Sequence, residues 1–138
     1  MLGKAAERTA LERADLDGLI DSNDPDCCTN LVPISQGTWS LHYVDSEQLY
    51  PSRPATNSFD GLTNTIWNSE YSPTLSEHPH EIQIDLGLTK EIGGFRYLPR
   101  EDGSVDGMIK DYEFYVSEDG SNWDAPVITG TWTFNNAE

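Results

Sequence analysis

The chain has 138 residues, enough for one domain with a genuine core. Twenty-four acidic against eight basic residues give a formal net charge of −16, which repels phosphate backbones and anionic lipid headgroups and so argues against a nucleic-acid partner or an anionic membrane. The same surface attracts cations, calcium foremost among the hard ones, although acidity also serves solubility alone.

Residues 4–20 (KAAERTALERADLDGLI) read as a short helix, rich in Ala, Leu, Glu and Arg, with Leu16, Leu19 and Ile20 on one face. The stretch DSNDPDCCTN over 21–30 then reads as a linker. Asp21 to Asp24 has a faint likeness to a calcium loop, but Pro25 and Asp26 stand where ligand and glycine positions are needed. The adjacent Cys27 and Cys28 make no disulfide framework. No apolar h-region follows Met1, so no secretory leader is read, and no apolar run is long enough to span a bilayer. The division is therefore residues 1–30, a helix and acidic linker, and residues 31–138, the main domain.

From Leu31 onward the pattern changes to period two. Strands are expected at Trp39 to Val44, Glu81 to Leu86, Ile92 to Leu98, Lys110 to Ser117 and Val127 to Phe134. Ile82, Ile84 and Leu86 alternate with Glu81, Gln83 and Asp85, and Tyr112, Phe114 and Val116 repeat the scheme: each strand has one buried face. The intervening stretches, DSEQLYPSRPATNSFDGLTNT and WNSEYSPTLSE, are turn-rich loops. Short alternating strands separated by such turns predict an all-β, antiparallel β-sandwich of jelly-roll type. No nucleophile, phosphate loop or convincing metal-ligand cluster is present, which argues against an enzyme. His78 and His80 fall on one side of the chain before a strand, but two histidines without a further ligand read as loop residues. Trp67, Trp123 and Trp132 read as packing residues.

The phrases YVDSE, PATNSFDGLTNTIW, PHEIQIDLG, GFRYLPREDG, IKDYEFYVSEDGSNW and PVITGTW occur in this order from Tyr43 to Trp132. Together they resemble the discoidin domain, also called the coagulation-factor type C domain, and most closely its bacterial branch, the family 32 carbohydrate-binding modules with a galactose-binding-like fold. The resemblance implies two further strands after GTW, one with an Arg-Tyr phrase and one ending in an Ala-Glu phrase. Ala137 and Glu138 come too soon for the latter. The expectation is a C-terminally incomplete sandwich, either a fragment or a fold to which a partner chain contributes strands.

Asp60 follows an aromatic and precedes Gly61, and the pair supplies a charged oxygen and a tight turn. The resemblance implies structural calcium held by the Asn57 carbonyl, Asp60, the backbone at Leu62 and Thr65. At position 62 the family usually carries Asp or Asn, so Leu62 can offer only its carbonyl. The competing reading is an Asx-type turn in which Asp60 bonds backbone amides.

Sugar recognition needs an apolar platform for the ring and a few fixed polar groups for its hydroxyls. By the resemblance, Asn68 stands where galactose-binding relatives often have His, Tyr71 where they often have a Trp platform, and Asp106 near a frequent Asn. Arg100 matches an arginine that forks onto vicinal hydroxyls, a task its planar donors suit. Arg100 could instead pair with Glu101 or Asp102. No paired apolar spikes are read in the loops.

The functional expectation is a non-catalytic, lectin-like carbohydrate-binding module for galactose-type glycans, extracellular or at the cell surface, accessory to the catalytic domain of a secreted glycan-degrading enzyme. The alternative is a structural or protein-binding cell-adhesion module that binds no sugar.

Overall fold

A computed structural model of the chain describes residues 9–13 and 31–133. Seven strands and two short 3-10 turns make up its regular structure: β1 (Thr9–Arg13), β2 (Leu31–Pro33), β3 (Ser40–Val44), β4 (Ile82–Asp85), β5 (Ile92–Arg96), β6 (Asp111–Phe114) and β7 (Ile128–Thr131), with the turns at Gln36–Thr38 and Ala55–Phe59. The expected all-β class is what the chain adopts. The five expected strands of the main domain are β3 to β7, each slightly shorter than its alternating pattern.

One element is corrected. Thr9–Arg13, expected inside a helix, is a strand at the centre of a three-stranded sheet ordered β2-β1-β5. It pairs antiparallel with both neighbours, Leu11 opposite Pro33 on one side and Ala10 opposite Phe95 on the other. An isolated helix of that length is marginal in water, whereas pairing with β5 over Thr9–Glu12 and with β2 over Leu11–Arg13 gives backbone groups along the segment partners. The remainder of the expected helix, the linker over 21–30 with Cys27, Cys28 and the Asp21–Asp24 loop, and Phe134, Ala137 and Glu138 lie outside the described residues.

The second sheet pairs β3 with β4, Leu41 opposite Ile84 and Val44 opposite Ile82, with a register shift between Leu41 and Tyr43. Strict alternation would put Leu41 and Tyr43 on one face. The shift at His42 instead turns both Leu41 and Val44 onto the core and leaves Tyr43 48% exposed. The core itself is Ala55, Phe59 and Ile82, flanked by Trp39, Leu41, Val44, Trp67 and Ile84. Trp67 is thus a packing residue, its indole N–H donating to the Ser46 carbonyl at 3.1 Å. Burying Phe59 and Ile82 contributes about 1.5–3 kcal/mol each.

The third sheet pairs β6 with β7, Tyr112 opposite Gly130. A methyl group at Gly130 would lie 2.5 Å from the Tyr112 hydroxyl, so glycine makes room for the ring. β5 meets this sheet through stacked aromatics. Phe95 stacks on Phe114 with ring centroids 4.6 Å apart, and Trp132 lies between Tyr97 and Tyr112 at 4.7 and 4.0 Å. Trp132 is therefore packed as expected. The Tyr97 hydroxyl, raised above its ordinary pKa by burial, accepts the Ile109 N–H at 3.1 Å. That bond closes the base of the loop that carries Arg100.

Candidate functional site

Loop 48–53 folds back on itself, the Arg53 N–H donating to the Gln48 carbonyl at 2.8 Å. It lies against loop 68–76, because the Gln48 N–H donates to the Asn68 carbonyl at 2.8 Å and the Arg53 guanidinium donates to Asn68 Oδ1 at 2.9 Å. The Gln48 side chain, 1% exposed, fastens the two. Its amide nitrogen donates to the carbonyls of Tyr50 and Ser72, and its oxygen accepts the N–H groups of Tyr71 and Ser72 at 2.8 and 3.2 Å. Ser46 braces the far end of the second loop, accepting the Glu70 N–H at 2.9 Å and meeting Ser76 Oγ at 2.7 Å.

Arg100 enters from the loop after β5, its side chain only 12% exposed. Asp102 takes the guanidinium bidentately, with Nε at 2.7 Å and Nη2 at 2.5 Å, and the Asp106 carbonyl accepts from Nη1 at 2.6 Å. Of the alternatives Glu101 and Asp102, it is Asp102 that pairs with the arginine. Among the described residues, three of the five N–H donors are engaged in this way, with one donor on each terminal nitrogen given no partner there.

The structure brings the four expected sugar-contact residues to one region. Tyr71, 43% exposed, is near enough to Arg100 to help raise the guanidinium pKa, after the larger effect of the Asp102 hydrogen bond. Asp106 is exposed and holds Arg100 through its carbonyl. Asn68 reaches the same loop from beneath: its Nδ2 would lie 2.6 Å from a methyl group at Gly107, which also has φ +80. Only glycine permits that approach and that backbone angle together. The Asn68 oxygen is committed to Arg53, which leaves its Nδ2 as the donor. A cleft of about 340 Å³ is lined by Asn68, Pro99, Arg100 and Gly107, together with Asn57 and Thr65 of the neighbouring loop. Tyr71 and Asp106 lie outside it.

The Arg100–Asp102 pair carries a pH signature. Its hydrogen bond to Arg100 holds the Asp102 carboxyl down at about 2, against an ordinary 3.8. A depressed carboxylate contributes stability that is whole above about pH 4 and is lost as pH falls towards 2. The Asp102→Asn variant is expected to lose less stability than the parent between those limits. Urea midpoints at pH 4.5 and pH 2.5 check it, and equal losses in both proteins would remove the pair from the acid response.

The expected calcium residues are only partly gathered. Asp60 Oδ1 accepts the Leu62 N–H at 2.8 Å, while Thr65 Oγ1 lies 2.7 Å from Asp60 Oδ2 and 3.2 Å from the Leu62 carbonyl. The Asx-type turn is thus present, at Gly61 with φ +78. Its carboxylate, hydroxyl and carbonyl oxygens nonetheless converge within one another's reach, a donor set that fits a hard cation. The Asn57 side chain is turned to the Ile66 carbonyl at 2.9 Å. Among the described residues no group of three or more His, Cys, Asp and Glu side chains is placed to hold a metal ion. His80 Nδ1 meets Asp45 Oδ2 at 2.9 Å, and the His78 ring packs edge-on against it at 4.6 Å.

The sequence reading missed Gln48, Arg53 and the exposed residues their bonds support. Leu49, Tyr50 and Leu75 are 67%, 89% and 75% exposed, so the loops do carry adjacent apolar side chains, contrary to expectation. The available signal was the pair of turns Tyr50-Pro51 and Ser72-Pro73, each set beside an aromatic. A second cleft, about 430 Å³, runs along β4 and β6 and contains none of the expected site residues.

The chain is 35% identical over 100 residues to a galactose oxidase of Gibberella zeae, covering 72% of this chain and 14% of the relative. It is 37% identical over 102 residues to a sialidase of Micromonospora viridifaciens, covering 72% and 16%. It is 39% identical over 69 residues to an A type blood N-acetyl-alpha-D-galactosamine deacetylase of Flavonifractor plautii, covering 49% and 9%. The chain thus spans less than a fifth of the length of each of these relatives. The F5/8 type C domain matches residues 42–138, which takes in the end of β3, all of β4 to β7, the loops stapled by Gln48 and the Arg100 loop: the chain belongs to the F5/8 type C, or discoidin, family.

Proposed function

We propose that this domain is a non-catalytic carbohydrate-binding module that takes galactose-type or related glycans at Asn68, Tyr71, Arg100 and Asp106. The observation that carries the reading is the state of Arg100. Asp102 and the Asp106 carbonyl fix the guanidinium, and one donor on each terminal nitrogen is left for vicinal hydroxyls. Tyr71 beside it offers a face for the C–H side of the ring. The names of the relatives point to galactose, sialic acid and N-acetylgalactosamine chemistry, which supports the sugar class. The small share of their length that the chain spans supports an accessory role beside a catalytic domain; an extracellular location and a jelly-roll sandwich belong to the same proposal. Tethering of that kind raises the effective concentration of the catalyst at its glycan.

A glycan array run with the parent and Tyr71→Ala tests the reading. Binding to galactose-terminated glycans that Tyr71→Ala loses is the expected result. No binding by a folded sample favours a structural or protein-binding adhesion module, a reading to which the engagement of Arg100 by Asp102 and of Asn68 by Arg53 lends support.

We also propose that the Asp60, Leu62 and Thr65 oxygens, with the Asn57 carbonyl, hold a structural calcium ion. Calcium that binds only the folded chain raises its melting temperature. The expected outcome in differential scanning calorimetry is a rise on adding calcium chloride that Asp60→Asn abolishes. A parent whose melting is indifferent to calcium reduces the loop to its Asx turn.

A further inference from the structure

The two turn tips fastened by Gln48, residues 49–52 and 71–75, contain no charged residue, although the whole chain carries a net −16. They expose Leu49, Tyr50, Tyr71 and Leu75. Exposed apolar side chains on a mobile loop are unremarkable. These stand on turns whose backbone groups at Tyr50, Tyr71 and Ser72 are tied to one buried amide, an arrangement that fixes the two turns side by side before any ligand arrives. The carbonyls of Tyr50 and Ser72 accept from the same nitrogen, so they lie no more than about two hydrogen-bond lengths apart. Tyr50 and Tyr71 therefore stand on neighbouring turns of one stapled platform, and Asn68, bonded to Gln48 and Arg53, ties that platform to the cleft that Arg100 lines.

We propose that Tyr50 forms a second sugar subsite, so that the domain binds an extended neutral oligosaccharide, with one residue at Arg100 and Tyr71 and the next across Tyr50. This rests on the sugar-binding reading above. The chemistry favours a saccharide chain: a neutral ligand with alternating apolar ring faces and hydroxyls suits an uncharged tyrosine surface that continues from a guanidinium fork. The acidic surroundings disfavour an anionic lipid surface.

The test titrates the full chain and Tyr50→Ala with methyl β-galactoside and with linear β-1,4-galactotetraose. Tyr50 is 89% exposed and its clamped atom is a backbone carbonyl, so the variant keeps the fold and the platform. The parent should bind the tetraose more tightly than the monosaccharide. Tyr50→Ala should bind the monosaccharide as the parent does and lose about three- to tenfold for the tetraose, the size of one aromatic contact. Tetraose binding unchanged in Tyr50→Ala, but lost in Tyr71→Ala, overturns the second subsite and leaves the sugar-binding reading standing. If the parent binds neither probe, and binds zwitterionic lipid vesicles through Tyr50, both fall.

Discussion

Arg100→Ala is expected to lower affinity for a galactose-terminated glycan by about ten- to a hundredfold, the worth of hydrogen bonds from a charged donor. The substitution removes both free terminal donors and also strands Asp102, whose two oxygens are engaged by the guanidinium. Arg100→Lys should rescue little. An ammonium can pair with Asp102 but cannot hold one carboxylate edge while presenting a second planar fork. Asp102→Asn should fall between them, since the guanidinium survives while the group that orients it is weakened. Titration calorimetry with methyl β-galactoside ranks the three. The near-ultraviolet dichroism of the stacked Tyr97, Trp132 and Tyr112 rings reports whether each variant is folded. Parent-like affinity in a folded Arg100→Ala protein would move the site away from this loop.

The largest stability effect is expected at Gln48. Gln48→Leu keeps most of the side-chain volume but removes the partner of four backbone groups: the carbonyls of Tyr50 and Ser72 and the N–H groups of Tyr71 and Ser72. At a position 1% exposed, water cannot readily replace that partner. Leaving one buried polar group unpaired costs about 1–3 kcal/mol. Partial relaxation of the two turns towards solvent reduces the sum, and a loss of about 3 kcal/mol or more is expected. Gln48→Glu should also destabilise, because a carboxylate sets negative charge against the two carbonyls that now accept from the amide. Denaturant midpoints give the magnitude, and faster hydrogen exchange at the Tyr71 and Ser72 amides locates it. A Gln48→Leu protein as stable as the parent, with those amides still protected, would show that the staple is dispensable.

Period-two alternation made β3 to β7 legible in the sequence, most plainly in β4, where Ile82 and Ile84 turn to the core. The N-terminal strand was not legible. Thr9–Arg13 sits in a run of good helix formers, and only the availability of β2 and β5 as partners decides its state, a tertiary fact that local composition does not hold. The shift at His42 was hidden for a similar reason: alternation assigns faces only while register is unbroken. In the site, Arg100 and Tyr71 could be singled out because a guanidinium and an aromatic have evident uses and the resemblance points to the same positions; their role as sugar contacts is the proposal made above. The pairing of Arg100 with Asp102, two residues on, was among the alternatives the sequence allowed. Gln48 was not legible. An amide in a polar loop looks like any solvated residue until folding buries it against backbone that lies more than twenty positions away.

If the proposed sugar-binding role holds, the uncharged platform within so acidic a chain sorts ligands by charge before they touch it. A neutral glycan approaching the turn tips feels almost no force, whereas a chain bearing sialate or sulfate is held off by the net charge of −16. Arg100 does little to offset this, because Asp102 already neutralises it. The repulsion reaches about 8–10 Å at physiological ionic strength and contracts as salt is added. Discrimination between a glycan and its sulfated counterpart should therefore be sharp in dilute medium and blunt in brine, while the neutral glycan is captured equally well in both.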